Sequence, residues 1–178
     1  LPIFAKDILH SGPWGLGLLR AAPAAGALLM SVWLARHNMQ RRVGPIMFAA
    51  VAGFGVATLV FAVSTVLWLS LLALFALGAF DMVSMVIRGA LVQLDTPDDM
   101  RGRVSAVNSI FINTSNQLGE FESGMLAAWI GAVGATVVGG IGTLLVVGLW
   151  MVMFPGLRRR QRLQVEEELL AAPAIDTL

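Results

Sequence analysis

The sequence predicts an all-α integral membrane protein, a bundle of apolar helices, and three observations predict it. The chain has 178 residues, of which 57% are hydrophobic and only 13% charged, about half the charged fraction of an ordinary soluble domain. Its mean hydropathy is +0.80. Five segments are long and apolar enough to cross a bilayer, each near the roughly 20 residues that a span needs at about 1.5 Å of rise per residue.

The first segment runs approximately from Pro13 to Ala35 and carries Arg20 and, in its interior, Pro23. A proline there removes a backbone hydrogen bond and crowds the preceding turn, so a kink is expected. The uncharged run from Val43 to Phe80 is too long for one span and is expected to break at Ser64 and Thr65. That leaves a tight hairpin of segments from Ile46 to Val63 and from Leu67 to Leu94. A fourth segment extends from Val104 to Ile130 and a fifth from Ala135 to Phe154, with a glycine-bounded gap between them.

The gaps alternate in charge. Arg36, Arg41 and Arg42 fill the first, Arg101 and Arg103 the third, and Arg158, Arg159, Arg160 and Arg162 follow the last segment, whereas the gaps at Ser64 and at Gly131 to Gly134 hold no basic residue. The positive-inside rule therefore places every basic gap and the C-terminus in the cytoplasm of a cell with an inner membrane, and residue 1 on the outer side. Residues 158–178, with Arg162 and Glu166 at helical spacing, are expected to form a solvated cytoplasmic tail. No cleavable signal peptide opens the chain, since Lys6 and Asp7 interrupt the first apolar residues. Leu1 to Ala5 reads as the outer end of a span whose remainder is absent, so the chain is expected to be a fragment or half of a larger transporter.

Five charges, Arg20, Asp81, Arg88, Glu120 and Glu122, lie inside apolar segments. Each costs about 2.5 to 3.5 kcal/mol near the bilayer centre on insertion scales, so each needs a partner, water or a task. The second and fifth segments hold no ionisable residue and no amide side chain, and their small-residue rows, Ala49-Gly53-Ala57 and Ala135-Gly139, suit close helix packing. In the fourth segment Asn113, Asn116, Gln117 and Glu120 recur at i, i+3, i+4 and i+7 and so share one helical face. Glu122 and Asn108 lie roughly opposite that face.

Counting rise from the basic ends puts Arg20 and Glu120 at about 24 Å, Asp81 and Gln117 at about 20 Å and Arg88 at about 9 Å. Arg20 and Glu120 are thus depth-matched and can pair as a structural lock. Asp81, Ser84 and Arg88 make a second polar face at i, i+3 and i+7, with two turns between the two charges. That spacing leaves Asp81 the least paired carboxylate near mid-membrane. Before the fourth segment, Thr96, Pro97, Asp98 and Asp99 read as N-cap, first-turn proline and capping acids, with Arg101 and Arg103 as ion-pair partners of the acids.

The sequence has no cysteine and its only histidines are His10 and His37, which argues against disulfides and Cys/His metal sites, and no cofactor is expected. It has no zinc motif, no glycine-rich phosphate loop and no Ser/His/Asp set, so an enzyme is not expected. Nothing suggests nucleic acid as a partner; the bilayer and a small molecule of unassigned identity are the expected partners.

The runs at 1–5, at 15–28 (Gly-Leu-Gly-Leu-Leu-Arg-Ala-Ala-Pro-Ala-Ala-Gly-Ala-Leu), at 96–109 (Thr-Pro-Asp-Asp-Met-Arg-Gly-Arg-Val-Ser-Ala-Val-Asn-Ser) and at 116–124 (Asn-Gln-Leu-Gly-Glu-Phe-Glu-Ser-Gly) resemble the C-terminal half of major facilitator superfamily transporters. The likeness is to the branch of enterobactin exporters and transmembrane secretion effectors, and it covers nearly all of residues 1–157. It implies a six-helix half-bundle in which this chain supplies the end of helix seven and helices eight to twelve. It implies further that helices nine and twelve are peripheral while the others border a cavity or a second, N-terminal half. The loop after Leu34-Ala35-Arg36-His37 departs from the family's Gly-x-Leu-Ala-Asp-Arg-x-Gly-Arg pattern, lacking its Asp and central Gly. The function so implied is proton-coupled export of small amphipathic, drug-like or siderophore-like molecules by alternating access. Asp81 or Glu120 would exchange the proton, and the arginines would hold countercharge or attract an anionic group. The other expectation is a non-transporting half that packs against a partner.

Overall fold

The computed structural model describes residues 12–37, 43–94 and 96–153. The expectations placed on Leu1 to Ala5, Lys6, Asp7, His10, Arg41, Arg42 and the tail from 158 onward lie outside the described residues. Within them the chain is helical with no strand: α1 Gly12–Arg36, α2 Val43–Val63, α3 Leu67–Leu94 and α4 Arg101–Met153. All four are long and apolar enough to cross a membrane.

Gly12, at φ 65°, turns the chain into α1, and Pro13 follows where a missing N–H costs nothing. At the other end of α1, Arg36 complements the helix dipole. His37 donates from Nδ1 to the Trp33 carbonyl at 3.0 Å and stacks on its ring at 4.6 Å. The hairpin between α2 and α3 turns at Ser64 and Thr65, but Ser64 is not there to meet water. It is 2% exposed and Ser70 is 0%; Ser70 Oγ donates to Ser64 Oγ at 2.9 Å, and Ser64 Oγ donates to the Val66 carbonyl at 3.1 Å. Two hydroxyls thus satisfy each other in an apolar setting where an unpaired one would be costly.

The helices form a row, with α3 packed on both α1 and α2, and α2 packed on α4. Leu19 clusters with Phe61, Ala73 and Leu74, while Met30 and Leu34 pack with Ala50, Val83 and Ile87. These pairings run α1 and α3 in the same direction and α2 against both, which brings Arg36 and Arg101 to the same end of the bundle. Two close crossings hold the row. Between α1 and α3, a Cβ on Gly26 would fall 2.0 Å from the Phe75 carbonyl oxygen, and one on Gly78 would fall 2.0 Å from that of Pro23. Between α2 and α4, a Cβ on Gly140 would meet Leu59 at 2.7 Å and one on Gly55 would meet Leu144 at 3.0 Å.

The rows Ala49-Gly53-Ala57 and Ala135-Gly139 are therefore not the close-approach surface of α2 with α4. Gly139 has open space around it and Gly53 meets the Phe80 ring of α3 instead. The glycine one position along from Gly139, and the one two along from Gly53, face each other.

Helix α4 joins the last two predicted segments across a break at Gly131, which has φ 78° and ψ 163°. This backbone region is open essentially to glycine alone. The arm at 132–153 packs on α2, whereas nearly every residue of the arm at 101–130 is exposed. Gly131→Ala is expected to destabilise the fold by about 1–3 kcal/mol through backbone strain. Gly119→Ala, in helical backbone with nothing within 4 Å of the new methyl, is expected to be neutral or to stabilise by up to about 1 kcal/mol. Unfolding midpoints of the two variants in detergent check the contrast.

Candidate functional site

The charged and amide side chains of the spans fall on α1, α3 and the 101–130 arm. α2 and the 132–153 arm, joined through Gly55 and Gly140, carry no charge. The bundle therefore has an apolar edge and a polar side.

On α3, Asp81, Ser84 and Arg88 are linked in a chain of hydrogen bonds. Ser84, 4% exposed, donates from Oγ to the Asp81 carbonyl at 3.1 Å. Arg88 donates from Nε to the Ser84 carbonyl at 3.2 Å and from Nη2 to Ser84 Oγ at 3.3 Å. Side chains on a helix lean toward its N-terminus, and here that lean carries the guanidinium one turn deeper, away from the nearer, basic end. The Asp81 carboxylate forms no ion pair with Arg88, whose backbone position lies about 10.5 Å further along the axis. Asp81 is half-buried and forms no ion pair among the described residues.

On the 101–130 arm Asn113, Asn116, Gln117 and Glu120 are all exposed, and Asn113 and Gln117 line an open hollow with Ile110, Thr114 and Leu118. The other described helices do not cover this ladder. Arg20 on α1 is also exposed, and the structure does not bring it to Glu120: among the described residues the one ion pair joins Arg101 and Asp98. The arm bearing Glu120 does not pack on α1, so the equal residue counts from the helix ends do not bring the two charges together. Glu122 lies in a separate hollow with Phe121, Met125, Leu126 and Trp129. Its neighbours are apolar, as its place opposite the ladder implies.

The loop before α4 is built differently from the cap the sequence suggests. Thr96 Oγ1 donates back to the Val92 carbonyl of α3, and Pro97 to Met100 form a turn closed by Met100 N–H to the Pro97 carbonyl at 3.0 Å. Arg101 Nε reaches the carbonyls of Gln93 at 3.1 Å and Thr96 at 3.2 Å, and its Nη1 pairs with Asp98 at 2.6 Å. The free carbonyls at the end of α3 attract these donors more than the start of α4 needs a threonine cap. Asp99 and Arg103 are exposed and outside this network.

Sequence reasoning missed the Gly26–Gly78 crossing. The spacing of Ala22 and Gly26 is a small-residue row that could have flagged α1, but Gly78 has Leu74 and Met82 at the same offsets in α3, so no row appears there.

The profile described as transmembrane secretion effector matches residues 1–176. The enterobactin exporter EntS of Citrobacter koseri is 29% identical over 153 residues, which is 86% of this chain and 36% of that protein. Those of Salmonella typhimurium and Salmonella typhi are 29% and 28% identical over 147 residues, 83% of this chain and 35% of each. The chain thus spans about a third of the length of the curated relatives it matches. No solved structure matches it significantly. These relatives are transporters rather than enzymes, and four apolar helices make this a multi-pass membrane protein. With the profile covering nearly its whole length, the chain belongs to the transmembrane secretion effector family of the major facilitator superfamily.

Proposed function

We propose that this chain is the C-terminal half-bundle of a proton-coupled exporter of small amphipathic molecules, drug-like or siderophore-like, that works by alternating access. One observation carries the reading: every intramembrane charge lies on α1, α3 or the 101–130 arm, and none lies on the α2 and 132–153 edge. Charges kept inside a bilayer at cost mark a pathway, and their restriction to one side of the bundle fits a cavity bordered on that side. An N-terminal half supplies the facing wall, and the halves rock about a site near the midplane. Asp81 or Glu120 exchanges the proton; Asn113, Asn116 and Gln117 offer hydrogen bonds to substrate; Arg20 holds countercharge. The basic ends lie in the cytoplasm, and residue 1 lies on the outer side of the inner membrane. The names of the relatives, enterobactin exporters, support the export direction.

Expression of the intact gene in cells loaded with an amphipathic dye tests this. The expected result is a lowered steady-state dye content that returns to the control level when a protonophore collapses the proton gradient. Dye content indifferent to expression, or lowered equally with and without the protonophore, contradicts the reading.

A further inference from the structure

We infer that Arg88, held edge-on by Ser84, is a preset binding fork for a paired oxyanion, and that the exporter's substrates include amphipathic molecules bearing a carboxylate or an equivalent two-oxygen anion. The inference rests on the exporter reading for the word substrate, but the site itself stands on geometry. A guanidinium has two edges suited to bidentate recognition: Nε–H with the adjacent Nη2–H, and the end-on pair from Nη1 and Nη2. In this structure the first edge is filled by one residue, since Nε donates to the Ser84 carbonyl and Nη2 to Ser84 Oγ. The end-on edge is left with one N–H from each terminal nitrogen and no protein acceptor among the described residues.

Two further features make this more than a stray surface arginine. Ser84 is buried and its own proton goes to the Asp81 carbonyl, so its oxygen lone pairs are directed toward Arg88 and the guanidinium plane is fixed before any ligand arrives. No carboxylate pairs with the guanidinium: among the described residues the one ion pair is that of Arg101 with Asp98. Arg88 is exposed, and a positive charge within an apolar segment, without an ion-pair partner among the described residues and with a planar pair of donors presented outward, is complementary to a carboxylate in charge and in the spacing of its oxygens. Lysine could supply the charge but not the fork. Ser84 is a positioning residue here, acting through Arg88.

A lipid phosphate presents a similar oxygen pair, so the test separates the two sources. Binding of 4-butylbenzoate and of its neutral isostere 4-butylbenzamide to the intact protein is measured by titration calorimetry, first in dodecyl maltoside and then in phosphatidylcholine nanodiscs. The acid is expected to bind about tenfold or more tighter than the amide in both, as a charge-assisted bidentate pair implies. Arg88→Gln should erase the preference and Arg88→Lys should weaken it. Ser84→Ala should lower affinity for the acid about fivefold, the loss of one net hydrogen bond, while amide binding stays unchanged and reports that the fold is intact. Equal binding of acid and amide, or a preference that survives Arg88→Gln, overturns the inference. A preference seen in detergent and abolished in nanodiscs assigns the fork to lipid and overturns the substrate claim. Protonophore-sensitive dye efflux without acid preference refutes this inference alone, and acid preference without such efflux leaves the site standing while the exporter reading falls.

Discussion

Gly78→Ala is expected to break the contact between α1 and α3 and to leave little folded protein. The added methyl would stand 2.0 Å from the Pro23 carbonyl oxygen and 2.6 Å from its carbon. Neither atom can move alone, because both are helix backbone. Gly26 faces the same constraint from the other side, with the Phe75 carbonyl oxygen at 2.0 Å and carbon at 2.9 Å from a new Cβ. The helices must therefore separate, and separation withdraws Leu19, which is 0% exposed, from Ala73, Leu74 and Phe61. Overpacking typically costs 1–3 kcal/mol and loosening a core adds to it, so a loss of about 3 kcal/mol or more is expected for either variant. Gly89→Ala supplies the contrast: nothing lies within 4 Å of its new methyl, and replacing a helical glycine there should be neutral or stabilise by up to about 1 kcal/mol. Thermal midpoints in detergent, read by loss of monodisperse protein, check this. Equal midpoints for Gly78→Ala and Gly89→Ala would show that the crossing does not hold the bundle.

The second large effect is functional. Of Asp81→Asn and Glu120→Gln, at least one is expected to abolish concentrative transport of an amphipathic substrate in proteoliposomes with an imposed pH gradient. An amide keeps the size and much of the hydrogen bonding of the acid but cannot take up and release a proton, so the cycle loses its coupling and keeps its binding. Substrate exchange down its own gradient should persist in the affected variant, which separates lost coupling from lost folding. Glu122→Gln is expected to transport normally, because Glu122 lies with Phe121, Met125, Leu126 and Trp129 on the opposite side of the arm. Concentrative transport unaffected by both Asp81→Asn and Glu120→Gln would remove the carboxylates from the mechanism.

Much of the secondary structure was legible because span length and hydropathy are strong constraints in a chain this apolar. The segment read as Leu67 to Leu94 has the same bounds as α3, and the turns at Ser64 and Gly131 fall where the apolar run offered a hydroxyl pair or a glycine. Packing was less legible. Small residues at four-residue spacing recur along α2 and α4 by composition alone, so the pattern could not single out Gly55 and Gly140 from Gly53 and Gly139. The reciprocal fit of Gly26 and Gly78 depends on which carbonyl of a neighbouring helix lies opposite, and one helix's sequence does not encode that. The same limit governed the site. Spacing put Asp81, Ser84 and Arg88 on one face, but the capture of Arg88 by Ser84 is a rotamer outcome. The pairing of Arg20 with Glu120 followed from depth, and depth fixes height along the bundle without fixing which helices are adjacent.

The measurement that bears most directly on proton-coupled export is the proton flux itself. Proteoliposomes containing the intact protein, a trapped pH dye and an amphipathic substrate on one side only report whether substrate movement drives protons the other way. The account predicts a substrate-dependent pH change opposed to the direction of substrate flow, eliminated by Asp81→Asn or by Glu120→Gln. Substrate that crosses with no accompanying pH change, or a pH change undiminished in both variants, would contradict it.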